Sequence, residues 1–171
     1  MLQLFRCRIC GDPYLGVDKP TRCPFCGAPV QYLKTDEEWT PIEYPNLTPV
    51  SKANLEYTLK IEVSNATFYK CASQNVTDER WKAIFKALSK VEAEHADLVA
   101  KLLKVSVPGP EAEDQHCDSN LDVIKQKAHA REVRATEHYK KALAEATEAR
   151  VQEVFEALQM IESEHIHLTE E

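Results

Sequence analysis

Two short stretches carry the residue types best suited to chemistry. Val91 to Leu98 reads VEAEHADL and Ile161 to Leu168 reads IESEHIHL, so Glu92 precedes His95 by three positions and Glu162 precedes His165 by the same spacing. On a helix, a carboxylate and an imidazole at i, i+3 leave the same side and can reach one metal ion together. A single pair of this kind is usually a solvated surface pair, but here it recurs at an offset of seventy residues. Thirty positions before each pair stands another glutamate, Glu62 and Glu132, and seven residues after each of those comes a tyrosine, Tyr69 and Tyr139. Phe85 and Phe155, Ala87 and Ala157, and Leu88 and Leu158 keep the same register. The chain therefore contains a duplicated helical hairpin.

A second chemistry lies at the start of the chain, where Cys7-x-x-Cys10-Gly11 and Cys23-Pro24-x-Cys26-Gly27 are separated by twelve residues. Two such pairs supply four thiolates, a tetrahedral cage suited to zinc or a single iron. Gly11 and Gly27 permit the positive φ that the turn after the second cysteine of each pair often needs. Two disulfides are the alternative, which a reducing compartment disfavours. About 35 residues bury too little apolar surface to fold unaided, so metal binding and folding are expected to be coupled there. Phe5, Tyr14, Phe25, Tyr32 and Trp39 either shield an iron centre from water or form the small core of a zinc ribbon; the residues alone leave both open.

The elements that must position these groups follow from pattern. The 171 residues allow one medium-sized domain with a core and a small stapled appendage. We expect a four-cysteine metal domain over 1–35, a linker over 36–50 stiffened by Pro41, Pro45 and Pro49, and a four-helix bundle over 51–171. Ser51 is the expected cap of the first helix, Asn75 or Thr77 of the second, and Asp118 or Ser119 of the third, with a brief turn near Ala146 and Thr147 before the fourth. VSVPGPEAEDQHCDSN cannot continue a helix and reads as a long crossover between two hairpins. A net charge of −7 argues against nucleic acid or anionic membrane as the main partner. No apolar run is long enough to span a bilayer and no signal-peptide pattern opens the chain, so a cytoplasmic location is expected. Cys71 and Cys117 fit neither cluster and are most simply free thiols.

Energetics favour a metal site over a charged surface. Four glutamates on core-facing stripes each carry a desolvation cost of several kcal/mol when ionised and unpaired. The nearest cations, Lys90, Lys101, Arg131 and Arg134, fall mostly on the flanks of those stripes. Two divalent cations would balance Glu62, Glu92, Glu132 and Glu162 and take His95 and His165 as neutral ligands, the set used by di-iron and di-manganese carboxylate bundles.

With these motifs the whole chain resembles a rubrerythrin in reversed domain order. The knuckles CRICG and CPFCGAP are rubredoxin-like, and the duplicated hairpin is ferritin-like. The resemblance implies a mainly α fold, a ferritin-like bundle preceded by a rubredoxin-like or zinc-ribbon domain. It implies two iron ions in the bundle, with manganese or zinc as alternatives, and one iron or zinc held by Cys7, Cys10, Cys23 and Cys26. It assigns Glu62 and Glu132 as terminal ligands, Glu92 and Glu162 as bridging ligands, His95 and His165 as the histidine ligands, and Tyr69 and Tyr139 as their supporting tyrosines. The activity implied is reduction of hydrogen peroxide or dioxygen with electrons relayed from an external donor such as a reductase. The resemblance also implies a homodimer in which the cysteine-cage domain of one subunit approaches the bundle site of the other. Ferroxidase or iron handling, and a non-enzymatic protein with structural metals, are the alternatives. One position departs from the pattern: typical members carry a further carboxylate where this chain has Ala135, and His129, one turn before Glu132, is the nearest candidate substitute against its plainer role as a half-buried flank residue.

Overall fold

In the computed structural model, which describes residues 1–170, a small N-terminal sheet precedes four long helices. Glu171, the final residue of the expected bundle segment, lies outside the described residues. Strand β1 (Gln3–Cys7) pairs antiparallel with β2 (Pro13–Gly16) on one side and with β3 (Leu33–Thr35) on the other. Phe5, Ile9, Leu33 and the four knuckle cysteines make up most of its interior. After a turn over 36–38 the chain runs to Thr48 without helix or strand, in keeping with Pro41 and Pro45.

Helix α1 (Pro49–Asn75) begins at Thr48, whose side chain accepts the Ser51 N–H at 3.2 Å. Ser51, the expected cap, is instead inside the helix and buried, and its hydroxyl donates to Glu148 at 2.6 Å. Pro49 explains the earlier start, because its fixed φ suits the first helical position and no N–H is lost there. Helix α2 (Glu79–Leu103) is capped by Asp78, and α3 (Leu121–Glu145) by Asn120, each accepting the N–H three residues on, at 2.9 and 3.1 Å. Both caps lie one or more residues beyond those expected. Each stretch offers several capping residue types in a row, and the one three residues before an available N–H makes the bond. Helix α4 (Ala149–Glu170) follows a turn over 146–148.

Helix α1 packs on α2 and α3 on α4, and α1 also lies against α3. The connections are short between α1 and α2 and between α3 and α4, and long between α2 and α3. This crossover, 104–120, contains one 3-10 turn (Ala112–Gln115). It is fastened to the bundle by Asp114, which accepts from Ser64 at 2.7 Å and from Arg131 at 3.2 Å. Cys71 of α1 and Cys117 of the crossover form a disulfide, correcting their expected role as free thiols. They stand 46 residues apart, a separation that no local pattern reports.

The apolar interior divides in two. One cluster runs from the cysteine-cage module into the bundle through Leu55, Leu98, Leu102, Tyr139, Phe155 and Leu158; the other holds Phe68, Trp81, Phe85, Leu88 and Ile124 at the opposite end. The module docks along one face of α4. Arg150 donates to the carbonyls of Arg8 and Ile9 at 2.6 and 2.7 Å, Glu156 accepts from the Tyr32 hydroxyl at 3.0 Å, and Glu164 pairs with Arg22 at 3.0 Å. Gly27 completes the seat, since a Cβ there would lie 3.4 Å from Ile161.

Arg150 is only 8% exposed, so Arg150→Ala leaves the buried Ile9 carbonyl and the half-buried Arg8 carbonyl without this donor and weakens docking by about 2–4 kcal/mol. We expect faster hydrogen exchange across residues 1–35 with an unchanged far-UV circular dichroism spectrum; exchange equal to wild type would show that the module is held by other contacts.

Candidate metal centres

Each helix of the bundle contributes its polar residues at one level, between the two apolar clusters. Glu62 comes from α1, Glu92 and His95 from α2, Glu132 from α3, and Glu162 and His165 from α4; all are fully buried except His165, whose side chain is 12% exposed. Their ligand atoms form two groups. Glu62, Glu92, His95 and Glu162 are one, Glu92, Glu132, Glu162 and His165 the other, and within each all atoms lie within 4.8 Å of one another. Glu92 and Glu162 belong to both, so each is placed where it could reach two ions. The His95 Nδ1 stands 3.6, 3.4 and 3.2 Å from Glu62, Glu92 and Glu162, and the His165 Nδ1 stands 3.2 and 2.8 Å from Glu92 and Glu162.

The unmet hydrogen-bonding capacity of these groups tests whether cations fit. Glu62 Oε2, both oxygens of Glu92 and of Glu162, Glu132 Oε2, and Nδ1 of both histidines are buried and have no hydrogen-bond partner. Groups of this kind left unpaired cost stability in a dry interior, and here all face one another. Two divalent cations would satisfy them, so the donor set fits. The remaining terminal oxygens are fixed by a crossed pair of tyrosines: Tyr139 of α3 donates to Glu62 Oε1 of α1 at 2.5 Å, and Tyr69 of α1 donates to Glu132 Oε1 of α3. Such outer bonds orient carboxylates for metal.

Electrostatics without an ion point the same way. Burial pushes the Glu62 and Glu132 carboxyls well above the usual carboxylate range, helped by the charges of Glu92 and Glu162. Burial also opposes ionisation of Glu92 and Glu162, yet contacts with the two imidazoles bring both below their ordinary value. Burial would lower the histidines, but the surrounding carboxylates hold both well above theirs. The ion-free site thus neutralises itself with protons that bound cations displace.

The four knuckle cysteines form the other centre. Cys7 and Cys26 Sγ lie 3.7 Å apart and Cys10 and Cys23 Sγ 3.8 Å apart. A tetrahedron with metal–sulfur bonds of about 2.3 Å has edges of about 3.8 Å, so the cage already has the right size. Gly11 and Gly27 have φ of 88° and 77°, the left-handed turns expected of them. The hydrogen bond between Cys10 and Cys23 drives the first thiol up and the second down, so the ion-free cage holds protons where a metal would take their place. The two centres touch through one residue: His95 Nε2 lies 2.8 Å from the carbonyl oxygen of Cys26, with the other ring nitrogen facing the carboxylates.

All ten expected metal-binding residues are therefore brought into these two clusters, and Tyr69 and Tyr139 stand directly behind one of them. His129 is not part of either; it is half-buried and lines an open cavity of about 540 Å³ with Lys125 and Thr169. Ala135 is fully buried, and among the described residues no fifth carboxylate joins the bundle groups. His138 packs between Tyr57, Tyr139 and Phe155 and lies 2.9 Å from the Thr58 hydroxyl, a packing role. Glu94 gathers with Asp12 and Cys10 beside the cage, where burial and the Asp12 carboxyl push it up to about 7. Sequence reasoning missed Arg150, its ion-pair partner Glu153 at 2.8 Å, and Glu156. Their spacing on one face of α4 was the available signal, but a charged stripe ordinarily marks a solvated surface.

Paired hairpins carrying Glu and Glu-x-x-His in this order define a ferritin-like carboxylate bundle, a class that holds two metal ions at its centre. Residues 53–170 match the family model described as Rubrerythrin, and the chain belongs to the rubrerythrin family, with its cysteine cage on the N-terminal side of that domain. Iron binding is what membership implies. No curated protein and no solved structure matches the chain.

The proton inventory predicts opposite pH responses with and without metal. Glu62 and Glu132 titrate above their ordinary 4.5 when folded, and the histidines above 6.5, so the stripped fold binds extra protons and loses stability as pH rises. Metal competes for the same positions and gains affinity as protons leave. Thermal unfolding between about pH 5 and pH 8, with the thiolate cage kept filled, should show the stripped bundle weakening and the loaded bundle strengthening; parallel trends would contradict the ligand assignment.

Proposed function

We propose that this protein is a non-haem di-iron oxidoreductase that reduces hydrogen peroxide to water, with dioxygen as a second oxidant, in defence against oxidative stress. Membership in a family whose members are generally oxidoreductases supports the class. The observation that carries the finer reading is the contact between His95 Nε2 and the Cys26 carbonyl. It joins a cage suited to electron transfer to a cluster suited to two-electron chemistry, and an enzyme that must be re-reduced on every cycle needs that connection.

When bound, two iron ions would supply the two electrons that cleave the O–O bond, and the reaction consumes two protons per peroxide. The chain's own residues prepare the rest. Glu92 and Glu162 sit between the two positions and absorb changes in charge, while Glu62 and Glu132 are held from behind by Tyr139 and Tyr69. The same tyrosine hydroxyls keep a proton beside each terminal carboxylate, and burial holds both phenols well above their ordinary value. Access is one-sided. The His95 half is sealed by the cysteine-cage module, whereas His165 retains some exposure, so the oxidant reaches the site from the His165 end.

An external reductase is the proposed electron donor. A homodimer is consistent with the same geometry, because exchange of modules between two copies through the 36–48 connector would preserve the His95–Cys26 contact. A second reading, ferroxidase or iron handling, is favoured by Ala135, which leaves the site one carboxylate short of the family pattern that the resemblance implies.

Metal substitution separates the readings without disturbing the fold. Protein with iron in both centres should consume hydrogen peroxide catalytically with a reductase and reduced pyridine nucleotide. Protein with zinc in the cage and iron in the bundle should lose steady-state turnover by at least roughly 100-fold, because the relay from the cage is cut. Equal turnover in the two would remove the cage from the electron route, and faster oxidation of added ferrous iron than of the reductant would favour iron handling.

A further inference from the structure

Four of the six cysteines build the metal cage; the other two, Cys71 and Cys117, are joined to each other at the far side of α1. Both are half-buried rather than enclosed. The Asn75 amide donates to each sulfur at 3.4 Å and to the Cys71 carbonyl at 2.9 Å, so the pair sits in a polar setting that tolerates thiols as well as the bond. Cys117 also lines a cavity of about 750 Å³ between the crossover and helices α1 and α3, open to solvent and bordered by Lys127, Arg131 and Arg134 and also by Glu111, Glu113 and Asp114. A small polar oxidant can enter such a space and meet the opened pair there, the thiolate being the reactive form. Arg131 pairs with Asp114 and Lys127 lies near the Asp118 carboxylate, so the positive charge along this cavity is partly offset by acidic neighbours.

We propose that Cys71 and Cys117 are a peroxide-reactive thiol pair, a second site of peroxide consumption separate from the bundle centre. The Cys117 thiolate attacks one peroxide oxygen, the O–O bond breaks, and the leaving hydroxide takes a proton to become water, leaving Cys117 as a sulfenic acid. The Cys71 sulfur then attacks that sulfur, the S–O bond breaks, a second water leaves, and the disulfide forms. Each cysteine gives up one electron and the peroxide takes both, so two thiols and one hydrogen peroxide yield one disulfide and two waters. A dithiol or glutathione-class reductant restores the pair by thiol–disulfide exchange. The closed bond adds a second fastening to the crossover beyond the Asp114 clasp, on the same helix as Tyr69 and two residues from it. The oxidised pair therefore holds the crossover over the bundle when peroxide is abundant.

The test uses the protein loaded with zinc in both centres, so that neither metal exchanges electrons with the oxidant and the outcome is independent of the di-iron reading. Glutathione should open the Cys71–Cys117 bond in the folded protein, and one equivalent of hydrogen peroxide should re-form it at least about tenfold faster than it oxidises free cysteine, as read by peptide mass analysis. Cys71→Ser should leave a sulfenic acid at Cys117 that dimedone traps, with the circular dichroism spectrum unchanged. A bond that resists glutathione until the protein unfolds would make it a permanent structural cross-link. Re-oxidation no faster than that of free cysteine, or no trappable species at Cys117, would equally overturn the proposal.

Discussion

Four carboxylates enclosed in the dry centre of a helical bundle are the constraint on which the rest of the structure depends. Left to protons alone, Glu62 and Glu132 must stay neutral while Glu92 and Glu162 lean on two imidazolium rings, and six carboxylate oxygens still lack partners. Several kcal/mol of desolvation per charge is a large fraction of the stability of a domain this size. Two bound cations would remove the difficulty at once. The apolar clusters on either side, with Leu98, Tyr139 and Phe155 below and Phe68, Phe85 and Ile124 above, keep the water out that would otherwise make those cations unnecessary.

The same constraint explains how the two halves of the chain are assembled. A four-cysteine module with little core of its own rests on α4 through Arg150, Glu156 and Glu164, and its second knuckle presents the Cys26 carbonyl to His95. That contact does two things. It fixes the ring so that Nδ1 faces the carboxylates, and it leaves a single residue between the sulfur cage and the bundle cluster. Docking is thus a matter of stability and of chemistry together, and the Gly27 backbone that approaches Ile161 serves both.

Most of the site could be read from the sequence because duplication writes the same residue types twice in one register, and because Glu-x-x-His places its two ligands on one helical face. The knuckles were equally legible, since Cys-x-x-Cys-Gly fixes local geometry, and Gly11 and Gly27 take the positive φ their positions demand. What escaped depends on long-range placement. The Cys71–Cys117 bond joins segments 46 residues apart, and the docking face of α4 has the charge pattern of an ordinary solvent-facing helix. The helix caps moved by a few residues because Thr48, Asp78 and Asn120 each compete with neighbours of equal capping ability, and only the three-dimensional path of the chain selects among them.

Metal content per chain tests the central claim most directly. Full-length protein purified with iron and dialysed free of loose ions should hold about three metal ions per chain, one in the thiolate cage and two in the bundle. The paired substitution Glu92→Ala and Glu162→Ala, which removes both shared carboxylates, should leave about one. A wild-type chain that retains a single ion, with a bundle no less stable than one given excess metal, would contradict the account.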